Sequence, residues 1–314
     1  MSLHDIILQT KLKTDDGNVD NISRTERYAK FYKKHPEVKW ALLASMVSRN
    51  AGWFMTDLEG IPLKQALPYE KRQWLFLSVE TANWLIFADA YPQLLLYEYS
   101  KRYNKPMFYL LEAFHVSAFM MEEWERFFRT KDEKRLLTSL IINEQHVIQK
   151  PVIDHPLFKK FVFHSLPFIF QDLFHFRVIL FPTLTGKLYG FSTHQFSHVK
   201  KRIELGKRLA WLLFHPLYHG QFLKFSNRVI HTGSRYDYEK YMKKTTKRKS
   251  PYLRTAFPII SHEIDEKERE WFHGQRLGKY YKDPEIPKRI ELTNWYEKKQ
   301  SQLHLLCMMK QYLQ

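Results

Sequence analysis

The sequence predicts an all-α fold, an irregular bundle of about nine or ten helices with no sheet of consequence. Ten glycines in 314 residues are too few for the turns of a many-stranded β protein. Hydrophobic residues make up 44% of the chain, which is enough for a packed core. Long stretches carry apolar residues at the three- and four-residue spacing of amphipathic helices.

The N-terminal part predicts an arm followed by two helices. Residues 1–22 are polar and rich in Asp, so we expect a flexible arm. A helix begins near Ser23, whose hydroxyl can accept a hydrogen bond from the backbone N–H of Glu26, and it ends at His35. The next helix starts at Pro36 and runs to about residue 50. Its apolar side chains recur at helical spacing: Leu42, Leu43, Met46 and Val47.

Longer helical patterns follow in the middle of the chain. A long helix is expected from about Tyr69 to Asn104, bent near Pro92. Further helices are predicted at Met107–Phe128 and Glu133–Gln149. Three prolines then lead to an aromatic-rich segment at residues 168–180: Pro151, Pro156 and Pro167.

Helices are also expected at residues 196–214, 263–280 and 287–313. We therefore divide the chain into an arm at 1–22, a helical core at 23–185, and a basic helical C-terminal portion at 186–314 packed on the core. The boundary near residue 185 rests on a change in composition and charge.

Composition excludes several classes of protein. A single cysteine, Cys307, excludes an intramolecular disulfide framework and a zinc site of several thiolates. No signal peptide is visible at the N-terminus. The two most apolar windows, residues 74–97 and 161–184, contain charged side chains, so we expect no transmembrane segment and a cytoplasmic protein.

The net charge of +17 is uneven along the chain. Residues 1–100 carry 12 basic and 12 acidic side chains, whereas residues 188–314 carry 25 and 12. The densest basic run, residues 240–254, also contains tyrosines. Such a segment attracts nucleic-acid backbones or an acidic membrane surface, although a solvated basic loop has the same composition.

Residues 23–58 read SRTERYAKFYKKHPEVKWALLASMVSRNAGWFMTDL and resemble a family of uncharacterised bacterial proteins that is called YppC-like. The resemblance extends over most of the chain, and HPEVKWALLASMVSRNAGW is its most specific part. The family is a domain of unknown function. The resemblance therefore implies a bacterial cytoplasmic protein and supplies no catalytic residues.

Four carboxylates lie on apolar stripes of the predicted helices, two of them three residues before a histidine. Buried carboxylates are costly unless they are paired, protonated or bound to metal. The order carboxylate, Glu-x-x-His, carboxylate, Asp-x-x-His matches helical di-iron and di-manganese proteins. The candidate ligands for iron or manganese are Glu80, Glu112, His115, Glu144, Asp172 and His175.

Two observations count against this metal site. Chance alone gives about 1.6 acidic-x-x-His pairs in a chain of this composition, close to the three present. In straight helices Glu80 and Glu112 lie at levels that differ by about 27 Å. The alternative is that these acids pair with Arg or Lys, or accept hydrogen bonds from Tyr, Trp or Asn.

Histidines four residues apart, at 194/198 and 215/219, lack the intervening Glu of a zinc helix, so we interpret them as structural or surface residues. The sequence contains no P-loop, Gly-rich dinucleotide turn or Gly-x-Ser-x-Gly elbow.

These patterns lead to two hypotheses about the function of the protein. The first is a non-catalytic binding or regulatory protein that needs no cofactor and contacts an anionic partner through its basic C-terminal portion. Its expected anion-binding residues are Lys243, Lys244, Lys247, Arg248, Lys249 and Arg254. The second is a metalloenzyme with an iron or manganese site inside the helical core.

Overall fold

The computed structural model describes residues 2–163, 178–192, 195–243, 248–263 and 270–312. Within them the fold is all-α apart from one small hairpin of two strands, which confirms the predicted fold class. In the first half of the chain the α helices are α1 Leu3–Gly17, α2 Asn21–Lys34, α3 Trp40–Asp57, α4 Ile61–Ala66, α5 Tyr69–Tyr103, α6 Ala118–Thr130, α7 Glu133–Val147 and α8 Pro156–Phe158.

The second half contains the hairpin and shorter helices. Strand β1 pairs antiparallel with β2, with Leu180 opposite Gly190. Single turns of π helix occupy Gln149–Ile153 and Lys159–Phe163, and a 3-10 turn occupies Gly278–Tyr281. The remaining elements are β1 Val178–Pro182, β2 Leu188–Ser192, α9 Val199–Phe214, α10 Pro216–Arg228, α11 Tyr236–Glu239, α12 Leu253–Ala256 and α13 Thr293–Tyr312.

The prediction of a flexible N-terminal arm is wrong. Residues 3–17 form α1, which begins with a capping box between Ser2 and Asp5. Ile6, Thr10 and Thr14 are spaced four residues apart and all are buried, since α1 packs on α5. Because two of these three buried residues are threonines, the buried side of α1 gives almost no apolar periodicity in the sequence.

Two other helix predictions differ from the structure. The stretch Met107–Phe128 is divided into a 3-10 helix, Phe108–Phe114, and α6, because His115 takes a left-handed backbone conformation and Ser117 caps α6. The predicted helix at 263–280 is reduced in its described part to the 3-10 turn that begins at Gly278, and residues 270–277 have no helical assignment. Residues 264–269 lie outside the described residues.

Polar side chains connect the central helices inside the core. Asp89 of α5 accepts hydrogen bonds from Gln93 at 2.7 Å and from Asn143 of α7 at 2.5 Å. Gln93 accepts one from the indole of Trp124 on α6 at 2.8 Å. Because buried polar groups are costly unless paired, this network fixes how α5, α6 and α7 face one another.

The basic C-terminal portion is held on α2 and α3 by buried contacts. Arg235 forms an ion pair with Asp57 at the end of α3. His231 donates from Nε2 to Asn21 Oδ1 at 2.8 Å, and Arg49 donates to the carbonyl of Val229 at 2.6 Å. These contacts join residues that lie 178 to 210 positions apart in the chain.

Gly52 shows how close this packing is, and it generates a test. A methyl group on Gly52 would overlap Asn21 Oδ1 and come within 2.9 Å of the His231 ring, whereas one on Gly220 of α10 would meet nothing within 4 Å. We expect Gly52→Ala to lower the free energy of unfolding by about 1–3 kcal/mol. Gly220→Ala should raise it by about 0.5–1 kcal/mol, because alanine favours helix. Urea unfolding checks both, and a Gly52→Ala variant as stable as Gly220→Ala would contradict the described contact.

Candidate functional site

A cavity of about 370 Å³ lies between the helices. Side chains of α2, α3, α5, α7, α9 and β1 line it. Most of the lining is hydrocarbon, from residues such as Leu43, Val47, Leu75, Val79, Ile148 and Leu209. Cavities of this size and character are the usual sites of small-molecule binding in proteins.

Tyr28 of α2 supplies a polar group to this wall. The residue is only 3% exposed, and its ring packs edge-on against Trp40 at 5.3 Å between centroids. Its hydroxyl has no hydrogen-bond partner in the described part of the chain. Burial, together with the negative charge of Glu144, raises the pKa of this hydroxyl well above its usual value. The hydroxyl is therefore neutral near pH 7.

Glu144 of α7 is the acidic group in the same wall. Its carboxylate accepts a hydrogen bond from the Trp40 indole at 2.9 Å and another from the Gln145 amide at 2.9 Å. Burial raises its pKa to about 7, because these two neutral donors offset only part of the cost of removing the charge from water. Near neutral pH this carboxyl exists in both protonation states.

Glu80 has a different environment from Glu144. It forms a buried ion pair with Arg24, and His262, which stacks on Trp84, lies 3.7 Å from its carboxylate. Burial opposes ionisation of Glu80, but His262 and the charge of Arg24 outweigh it and lower its pKa. Arg24 lines the cavity, and its Nε has no hydrogen-bond partner among the described residues.

Arg202 of α9 is a second buried cation beside the cavity. It is 2% exposed and donates five hydrogen bonds, all to uncharged acceptors, on Gln145, Gln149, Phe196 and Ser197. Burial lowers its pKa to about 10, so the guanidinium stays charged near neutral pH. Every N–H of the group is used, which makes Arg202 a structural clamp between α7 and α9.

Gly206 allows α9 to come close to α7 beside Glu144. A Cβ atom there would lie 2.7 Å from Ile141 and 3.9 Å from Glu144 Oε1. Because only glycine fits this approach without a shift of Ile141, the residue helps to shape the acidic end of the cavity.

The structure divides the predicted metal ligands. Glu80 is buried and pairs with Arg24, whereas Glu144 is half-buried in the cavity wall and accepts a hydrogen bond from the Trp40 indole. The prediction that Glu112 and His115 face the core is wrong. Both are exposed, because Phe108, Leu111 and Phe114 occupy the buried side of the 3-10 helix.

Asp172 and His175 lie outside the described residues. Among the residues that the structure describes, no three His, Cys, Asp or Glu side chains gather as a metal site. An iron or manganese site therefore stays a prediction without geometric support from Glu112 or His115.

The predicted anion-binding residues fall into three groups. Lys243, Arg248 and Lys249 are exposed, and Arg248 lies over the ring of Tyr252 at 4.2 Å. Arg254 forms an ion pair with Asp20 at 2.6 Å, so its charge is already matched within the chain. The other two, Lys244 and Lys247, are outside the described residues.

The paired histidines that the structure describes have structural contacts. His215 caps α10 by accepting from the N–H of Leu217 at 3.3 Å, and His219 Nδ1 lies 2.9 Å from the carbonyl of Leu213. His198 precedes α9, and His194 is outside the described residues.

None of the described helices has the length and apolar content needed to cross a membrane.

Sequence reasoning missed Tyr28 and Arg202. Tyr28 lies in a helix that was predicted, but an aromatic residue on an apolar face is ordinary core in a sequence. Arg202 belongs to the basic start of α9, which indicates a solvated face. No sequence signal marks either residue as buried beside a cavity, because the groups around them come from distant elements.

Comparisons with known proteins agree with the resemblance seen in residues 23–58. The model of a family described as "Protein of unknown function (DUF2515)" matches residues 16–297. The "Uncharacterized protein YppC" of Bacillus subtilis (strain 168) is 52% identical over 305 residues, which cover 97% of this chain and 94% of that protein. No solved structure matches the chain.

The pKa of Glu144 predicts a dependence of stability on pH. The folded state keeps the proton of Glu144 up to about pH 7, whereas the unfolded chain releases it near its ordinary pKa of 4.5. Between these values the folded state binds more protons, so the Glu144 contribution to the free energy of unfolding falls as pH rises. Because glutamine has no carboxyl group to titrate, Glu144→Gln does not lose stability in this way. We expect the free energy of unfolding of Glu144→Gln, relative to that of the wild type, to rise by about 2–3 kcal/mol from about pH 5 to pH 8, as measured by urea unfolding.

The exposed acid Glu112 offers a matched control. Glu112→Gln should keep the same stability difference from the wild type at both pH values. A Glu144→Gln variant that behaves like Glu112→Gln would show that Glu144 titrates in the folded protein as it does in the unfolded chain.

Proposed function

This chain belongs to the DUF2515 family of proteins of unknown function, and we propose that it is a binding protein that holds a small, largely apolar molecule in the cavity between its helices. The proposal rests on one observation. The Tyr28 hydroxyl is buried in the wall of an apolar cavity and has no hydrogen-bond partner among the described residues. Leaving such a group unpaired costs about 1–3 kcal/mol, which a bound molecule with a polar group would recover.

The rest of the wall supports the same interpretation. Its hydrocarbon side chains recognise an apolar body, and its few polar groups include Glu144 and Arg24, whose charges both act on the Tyr28 hydroxyl. Specific ligand cavities combine these two features, an apolar lining and a small number of placed polar groups.

Filling the cavity tests the proposal. Ala44 lines the cavity, whereas Ala41, one turn earlier in α3, is fully buried elsewhere in the core. We expect n-octanol, a neutral apolar probe, to bind the wild type saturably in calorimetry. Ala44→Leu should weaken this binding at least tenfold, roughly the 1.4 kcal/mol lost when a side chain takes the space of the probe.

Ala41→Leu is the matched control. It should overpack the core and lower the free energy of unfolding by about 1–3 kcal/mol, yet keep the affinity for n-octanol while it stays folded. If Ala44→Leu is destabilised as much as Ala41→Leu, or if n-octanol does not bind, the cavity is filled by the chain itself and the proposal fails.

We propose as a second function that the basic C-terminal portion contacts an anionic partner in the cytoplasm, nucleic acid or an acidic membrane surface. The observation that favours it is the exposure of Lys243, Arg248 and Lys249 in a region that carries 25 basic and 12 acidic residues. Arg254 is left out of this surface because Asp20 already neutralises it. Binding through exposed cations is strongly dependent on salt.

Charge neutralisation separates this surface from the net charge of the chain. Replacing Lys243, Arg248 and Lys249 by Gln should lower the affinity for a duplex DNA, an RNA or anionic vesicles at least about tenfold at low salt, and should flatten the salt dependence. The control replaces three exposed lysines of the N-terminal region by Gln: Lys11, Lys33 and Lys105. Equal losses in both variants would mean that net charge, and not this surface, attracts the partner.

A further inference from the structure

We infer that the molecule held in the cavity carries a protonated amine on an apolar body, with the ammonium group placed between Glu144 and the Tyr28 hydroxyl. The inference rests on the proposed cavity function and adds the chemical class of the ligand. The charged groups in and beside the cavity wall, and the hydrogen bonds that each one already makes, support it.

Glu144 is the acid of this wall that lacks a cation. Its oxygens accept one hydrogen bond each, from Trp40 and Gln145, and none of the described Lys, Arg or His side chains forms an ion pair with it. An ionised carboxylate can accept about four hydrogen bonds in total, so room remains for two more donors. A half-buried carboxylate among hydrocarbon side chains and without a cation is a costly arrangement, which a positively charged ligand would relieve.

The two cations of the wall offer little to an anionic ligand. Glu80 already neutralises Arg24, and the five N–H groups of Arg202 are all engaged with uncharged acceptors of the protein. A carboxylate or phosphate entering the cavity would find only the Nε of Arg24 without a partner, and would lie close to Glu144. Like charges in a medium of low dielectric repel strongly, which disfavours an anion.

An ammonium group matches the open hydrogen-bonding capacity. It has three N–H donors and no acceptor. Two can be accepted by Glu144 and the third by the Tyr28 hydroxyl, whose oxygen has no partner among the described residues. The hydrocarbon lining then accommodates the apolar body of the same molecule, so the ligand class is an alkyl or aryl amine.

Three probes of equal chain length separate charge from apolar burial: n-octylamine, n-octanol and n-octanoate. In calorimetry near pH 8, where Glu144 is ionised, we expect n-octylamine to bind the wild type about 10- to 100-fold more tightly than n-octanol. The affinity for n-octanoate should be below that of n-octanol.

Variants assign this preference to the two side chains. Glu144→Gln should bring the affinity for n-octylamine down to the affinity of the same variant for n-octanol, and urea unfolding of this variant shows that it is folded. Tyr28→Phe should weaken n-octylamine binding about 3- to 10-fold. The exposed Glu112→Gln is the control and should bind all three probes as the wild type does.

The outcomes distinguish the two proposals. If n-octanol binds but n-octylamine binds no more tightly, or if its preference survives in Glu144→Gln, the amine inference is overturned while the apolar cavity function stands. Tightest binding of n-octanoate would overturn the amine inference in the same way. If none of the three probes binds, both proposals fail together.

Discussion

Burying charge among hydrocarbon side chains is the constraint on which the arrangement of these helices depends. A charged group taken out of water costs several kcal/mol unless it is paired or fully hydrogen-bonded. Helices α2 and α5 meet where Arg24 and Glu80 neutralise each other, and α7 meets α9 where Arg202 binds five uncharged acceptors. Since these bonds are directional, each of them also fixes how two helices are placed.

Glu144 departs from this pattern and therefore indicates function. The helix that carries it could bury an uncharged residue at lower cost, yet the carboxylate faces a cavity with only two neutral donors. The unpaired hydroxyl of Tyr28 belongs to the same wall. Proteins place polar groups that break the ordinary rules of packing chiefly at their functional sites, and here two of them share one cavity.

Helix α3 connects the two candidate surfaces of the molecule. Its middle lines the cavity through Ala44 and Val47, and its end binds the C-terminal portion through Asp57 and Thr56. The Thr56 hydroxyl is 2.8 Å from that of Ser250, the residue that follows the exposed Lys249. The cavity and the basic surface are thus supported by the same helix, which is itself fixed by buried polar contacts.

The sequence by itself determined the all-α fold and the main helices α2, α3, α5 and α7, because a helix is stabilised by local hydrogen bonds and its buried side repeats along the chain. It also placed Glu80 and Glu144 on the inward sides of their helices, where Glu80 is buried and Glu144 half-buried. Only the tertiary structure decided that Glu80 is neutralised and Glu144 is not. Their partners, Arg24 and Trp40, lie 56 and 104 residues away, and no local pattern records which distant side chains a fold brings together.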